Sequence, residues 1–287
     1  TKKCFQNYSY LCIMKRNLIP FTVILLFSIL TFSSCSKFSK IQKSTDMEAK
    51  YQAAVKYYEK KSYFQALQLF EELITVFRGT NRAEETYFYY AQCYFETGDY
   101  TIAAYHFNNF NQTFPGSAKA EEALFKNAYC YYLDSPVSSL DQKNTLDAIR
   151  QFQLFVNRYP QSDKVQNCNQ LIDELRLKLE TKEFNNAKLY FKTGQNKAAL
   201  TAFQNVIKSY PSSIYKEECL YYAFRSAYLY ANQSIDSKKA ERYKYAIESY
   251  YKLIDAFPSG KFNRDAEKIF LECQDRLKKL EKSANLI

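Results

Sequence analysis

The stretch YFYYAQCYFETGDYTIAAYHFNNFNQTFP, residues 87–115, carries the pattern that decides the fold. Ala91 stands between Phe88 and Tyr94, three residues away on either side. Gly98 follows, and Ala103 is succeeded by Phe107 four residues on and Pro115 twelve residues on. Small residues one helical turn from large aromatic ones describe two helices lying close together. Each alanine lets the partner approach, and the rings fill the space beside the contact. Gly98 suits the turn between them, where a positive φ is convenient. Pro115 ends the second helix, because it lacks an N–H and clashes with the preceding turn.

The same spacing recurs outward in both directions, and a recurring period is the mark of a repeat architecture. The second half returns as Ala148/Phe152/Pro160, Ala199/Phe203/Pro211 and Ala246/Tyr250/Pro258, with a copy lacking proline at Ala66/Phe70. The first half returns as Tyr51/Ala54/Tyr57, Phe125/Ala128/Tyr131, Phe184/Ala187/Tyr190 and Phe224/Ala227/Tyr230. Five helix pairs, A and B, are thus predicted, and the pattern resembles the tetratricopeptide repeat. Ser117, Ser162, Ser213 and Ser259 follow the prolines and are expected to cap the next helix.

Departures from the period are informative. The third copy carries an insertion at Asp134–Asn144, and the fifth carries one at Asn232–Ser237; both are expected as loops at A–B turns. Asp163 to about Lys192 contains neither Gly nor Pro and reads as one long helix, its charged middle, Asp173–Glu180, an exposed rod. The expected fold is therefore all-α: a superhelical tetratricopeptide solenoid of five helix pairs plus a C-terminal capping helix near Asn263–Lys282. Repeats one to three would occupy 46–162, and the long helix, repeats four and five and the cap 163–287.

Composition agrees. With only 5 Gly, 6 Pro and no Trp in 287 residues, but 27 Tyr and 23 Phe, long uninterrupted helices are favoured over a turn-rich β fold. The formal net charge is +10. Residues 1–34 hold four basic side chains and no acidic one, so the remainder has 36 basic against 30 acidic groups, net +6. These charges are scattered and mixed in sign, which does not point to nucleic acid.

The N-terminal segment has its own signature. Met14, Lys15 and Arg16 precede an apolar run from Leu18 to Phe32, and Ser33-Ser34-Cys35 closes it. The run is shorter than the roughly 20 residues a spanning helix needs and ends in small residues, which is the signal-peptide pattern. It resembles a lipobox, with Phe32 in place of the usual leucine. That resemblance implies cleavage before Cys35 and acylation of its thiol, with 35–45 as a lipidated tether. Residues 1–13 are read as lying upstream of a start at Met14.

The other cysteines of the repeat region, Cys93, Cys130, Cys168, Cys219 and Cys273, are odd in number and widely spaced, unlike a disulfide framework or a zinc site. They read as small buried residues between helices, with one incidental disulfide left open. His106, the single histidine, is expected on an outward helix position. Phosphate-loop, nucleophile-elbow and clustered His/Cys/carboxylate patterns are all missing from the sequence, so an enzyme is not expected, and no cofactor or metal is implied.

A peptide groove is expected where the A helices line one surface. The first aromatic of each A signature and the residue one turn after its alanine fall on that side: Tyr51 and Tyr58, Phe88 and Phe95, Phe125 and Tyr132. A ladder of such rings would suit an extended or helical peptide with aromatic side chains. Glu48, Glu85 and Glu122 recur nearby, able to orient a basic peptide or to favour the helix N-terminal dipole.

The lipobox, five repeats divided three and two around a long helix, and a chain of this length together resemble the BamD family of outer-membrane lipoproteins. That resemblance covers Cys35–Ile287. It implies a lipid anchor at the periplasmic face of the outer membrane. It further implies N-terminal repeats that receive the aromatic-ended C-terminal signal of unfolded β-barrel proteins, and C-terminal repeats that dock on a BamA-like barrel with other assembly-complex subunits. The rival reading is a periplasmic repeat scaffold of another envelope system, such as the Tol-associated coordinator. A sugar-capturing lipoprotein of the SusD type would need a longer chain with Trp-bearing loops.

Overall fold

The computed structural model describes residues 37–284; the expected signal segment 1–34 and Cys35 lie outside them. Among the described residues no strand occurs, and eleven helices follow the helical stretch 37–42. They are α1 (Met47–Glu59), α2 (Tyr63–Val76), α3 (Ala83–Thr97), α4 (Tyr100–Thr113), α5 (Ala120–Leu133), α6 (Lys143–Arg158), α7 (Val165–Lys192), α8 (Asn196–Ser209), α9 (Lys216–Asn232), α10 (Asp236–Ala256) and α11 (Asn263–Ala284).

The period seen in the sequence is the packing period. Ala54, Ala66, Ala91, Ala103, Ala128, Ala148, Ala187, Ala199, Ala227 and Ala246 are all fully buried, and so are Phe70, Phe107, Phe152 and Phe203. Gly98 takes φ 84° at the end of α3, and Gly194 takes φ 75° just after α7. α4, α6, α8 and α10 each stop two residues before their proline. The intervening Phe114, Tyr159, Tyr210 and Phe257 leave the helical region at φ between −126° and −138°, as a residue preceding proline must.

The serines behave differently from expectation. The residues at the N-cap positions of α3, α5, α7 and α9 are Arg82, Lys119, Lys164 and Tyr215, none with a side-chain cap. Ser117, Ser162 and Ser213 sit two residues earlier and accept from the backbone N–H of Lys119, Lys164 and Tyr215 at 2.9, 3.2 and 2.9 Å. They close a turn rather than a helix. Two of them donate back to the preceding A helix, Ser117 to Glu84 and Ser213 to Glu180, each at 2.5 Å.

Two compact units are present, dividing between Asp134 and Ser135, where 162/163 was expected. In the first unit α1 to α5 pack in succession; in the second, α6 to α11 do the same. α6 packs on α7, and Cys168, Leu171, Ile172 and Leu175 are buried on the latter. The expected exposed rod is thus a helix with one buried face. The insertion at Asn232–Ser237 also departs from expectation: it lengthens α10 to 21 residues against 14 for α8, leaving little loop.

The five cysteines of the repeats are free and buried, with no disulfide among the described residues. Burial pushes the thiols of Cys93, Cys130, Cys219 and Cys273 up to about 12 and that of Cys168 up to about 11.

Candidate peptide-binding face

The first unit brings the expected groove aromatics onto α1, α3 and α5, but it sorts them into two kinds. Tyr51 and Phe88 are only 3% and 5% exposed. Tyr51 meets Phe70 and Phe77 edge-on at 6.3 and 6.1 Å, and Phe88 meets Phe107 and Phe110 at 5.9 and 5.5 Å. Each also carries a cation from the turn leading into the next A helix, Arg82 over Tyr51 and Lys119 over Phe88, both at 4.7 Å. Three residues before the packing alanine, the ring points at its own B helix. These two rings are core residues with a charged cover, not rungs of an open ladder.

Tyr58, Phe95, Phe125 and Tyr132 are half-buried and keep part of each ring at the surface. Tyr58 meets Tyr63 at 5.4 Å and Tyr89 at 5.1 Å. Phe95 meets Tyr100 at 5.7 Å and Tyr129 at 6.3 Å. Tyr129 in turn stacks on Phe125 and on Tyr132, at 5.7 and 5.5 Å with interplanar angles of 14° and 15°. Phe95, Tyr129, Phe125 and Tyr132 therefore form one continuous aromatic face. Tyr129 and Tyr89 were not among the expected residues. Tyr129 was findable: it stands four residues after Phe125 and three before Tyr132, on the same helical stripe.

Charge is arranged around these rings. Lys126 Nζ lies 4.4 Å over the Phe95 ring and 3.9 Å from Glu122. Burial holds its pKa below the ordinary lysine value, although Glu122 and Glu96 pull the other way. The Arg82 guanidinium bridges Glu48 at 2.7 Å and Glu85 at 3.5 Å. The recurrent glutamates thus already have partners within the unit.

His106 is half-buried rather than outward. Its ring stacks on Tyr94 at 5.4 Å and meets Tyr90 and Tyr105 edge-on at 4.8 and 5.2 Å, with Nδ1 3.2 Å from the Tyr87 hydroxyl. It is a packing residue.

In the second unit the equivalent positions form a core. Phe184 stacks on Tyr215 at 4.3 Å, and Tyr221 stacks on Phe262 at 4.4 Å. Two aromatic residues there occupy the place that Arg82 and Lys119 hold in the first unit. An open cavity of about 690 Å³ lies where α7 turns into α8, lined by Tyr190, Asn196, Asn205 and Tyr230 among others.

Comparison with known proteins adds a family. Residues 43–242 match the family described as YfiO, outer membrane lipoprotein. No individual curated protein matches the chain. Among solved structures, the chain is similar to the TPR2AB domain of yeast Sti1 in a pHSP90 complex, at 12% identity and a TM-score of 0.37, covering 79% of this chain and 98% of that one. It is similar also to the P58(IPK) TPR domain, at 15% identity and 0.40, covering 84% and 68%. Likenesses this weak bear on no functional question.

Proposed function

The chain belongs to the YfiO family of outer membrane lipoproteins, and from that premise we propose that it is a non-enzymatic assembly factor for outer-membrane β-barrel proteins. The family match over residues 43–242 is the observation that carries this reading. Acyl chains on Cys35 would hold it at the periplasmic face of the outer membrane. Its first unit would receive an unfolded client, and its second would dock on a BamA-like barrel.

The aromatic face of the first unit supports the client half of the proposal. Phe95, Phe125, Tyr129 and Tyr132 offer flat, preordered surface on which an aromatic side chain stacks at little entropic cost. Lys126 stands beside them, over the Phe95 ring and 3.9 Å from Glu122. A cation partly withdrawn from water, next to stacked rings, suits a chain end that combines an aromatic side chain with a free carboxylate. Tyr58 and Tyr89 extend the surface along α1 and α3 for the residues before that end.

Binding of a synthetic peptide ending in phenylalanine, measured by calorimetry as free acid and as amide, tests this. The free acid should bind more tightly. Tyr129→Ala should weaken both forms about two- to tenfold, from the loss of roughly 0.5–1.5 kcal/mol of ring contact. Lys126→Met keeps the stem and removes the charge, so it should abolish the preference for the acid. Equal binding of acid and amide to the native protein, or binding indifferent to both substitutions, would remove this face as the client site.

A further inference from the structure

The residues leading into the first repeat are built as a lever rather than a slack tether. Residues 37–42 are helical. The turn after them is closed by Lys43 N–H to Ser39 O at 3.2 Å and Ser44 N–H to Ile41 O at 3.0 Å. Ser44 Oγ then accepts from Asp46 N–H, and Asp46 caps α1 through Ala49 N–H at 2.9 Å. Phe38 and Ile41 pack against the core of the first repeat, with the Phe38 ring edge-on to Tyr57 at 5.5 Å. The segment is thereby fixed to α1 at both ends.

Its apolar side is spent on that packing. Lys37, Lys40 and Lys43 recur every third residue, and all three are exposed. No carboxylate precedes Asp46, and residues 37–61 as a whole hold seven lysines against Asp46, Glu48 and Glu59. Among these lysines Lys50 is buried and paired with Glu72, whereas Lys56, Lys60 and Lys61 are exposed on the second half of α1 and its turn. Cys35 is two residues from Lys37.

We propose that this basic helix face is a membrane-contact surface for anionic phospholipid headgroups, which orients the first unit against the bilayer. The occupant follows from sign and place. Three exposed cations, Lys37, Lys40 and Lys43, lie beside the point where the chain would be anchored, and juxtamembrane lysines are attracted to anionic lipid. Because Phe38 and Ile41 tie the helix to the first repeat, headgroup contact fixes the attitude of the whole unit. The proposal rests on the reading that Cys35 is the anchor point, and its test separates the two.

The chain from Cys35 onward, made without lipid, has one thiol outside the buried set, so maleimide-bearing lipid in vesicles couples at Cys35. The coupling rate is compared on phosphatidylcholine vesicles and on vesicles containing phosphatidylglycerol. At about 1 kcal/mol per lysine, or roughly fivefold, three lysines should make the second rate on the order of a hundredfold faster at low salt. Salt should erase the difference. Exchanging Lys37, Lys40 and Lys43 for Gln should bring the two rates together with the helical circular dichroism unchanged. Equal rates for the native chain, or a preference that survives the triple exchange, overturns the proposal. Mass spectrometry of the protein from cells reports separately on the lipid: an unmodified Cys35 sinks the anchor reading while leaving the vesicle result standing.

Discussion

At the scale of single residues, the fold depends on alanines that have no room to be anything larger. Ala103 is fully buried between α3 and α4, whose rings Phe88, Phe107 and Phe110 already fill the surrounding space. Ala103→Leu should cost about 1–3 kcal/mol through overpacking, seen as a lower urea midpoint, whereas the same change at exposed Ala118 should be near neutral. His106 makes a second prediction. Burial lowers its pKa from the ordinary 6.5, so the folded first unit prefers the neutral ring. Below that value the unfolded chain takes up the proton more readily than the folded one. The stability His106 contributes is therefore complete above pH 6.5 and is lost progressively as pH falls below it. His106→Phe should flatten this part of the pH profile, measured as the denaturation midpoint; an unchanged slope would contradict the assignment.

At the scale of elements, legibility followed the amount of pattern each element holds. The ten helices of the repeats announced themselves through Ala and aromatic residues at fixed spacing, and the turns through Gly98, Gly194 and the prolines. The long helix α7 is legible as a helix but not as a half-buried one, because the charges of Asp173–Glu180 interrupt the apolar stripe of Cys168, Leu171, Ile172 and Leu175. Those four stand at intervals of three and four, a buried stripe against α6. Leu175→Ala should cost about 2–5 kcal/mol and lower the unfolding midpoint of the second unit while sparing the first, resolved by hydrogen exchange in each. The helix 37–42 is not legible in the sequence, because six residues give too little period to read. At the candidate site, sequence spacing put Tyr58, Phe95, Phe125 and Tyr132 on one face, and the structure leaves all four half-buried. Spacing could not tell that Tyr51 and Phe88 turn inward, since whether a ring faces its own B helix or the surface depends on what covers it. Here the cover is Arg82 and Lys119, charged residues that only the folded turn brings overhead.

At the scale of the molecule, a chain of the YfiO outer membrane lipoprotein family folds into two compact units. The first has an aromatic face with a partly desolvated lysine and a basic helix at its entry. In the second, rings stack on the buried aromatics, Tyr215 on Phe184 and Phe262 on Tyr221. The proposal puts a client site on the first unit and a docking site on the second. Purification of the lipoprotein from detergent-solubilised envelopes, with depletion of the chain in parallel, tests this most directly. The account predicts that a BamA-like β-barrel protein co-purifies in fixed proportion and that depletion lowers the levels of outer-membrane porins. A preparation without such a barrel, together with porins at normal levels after depletion, would contradict it.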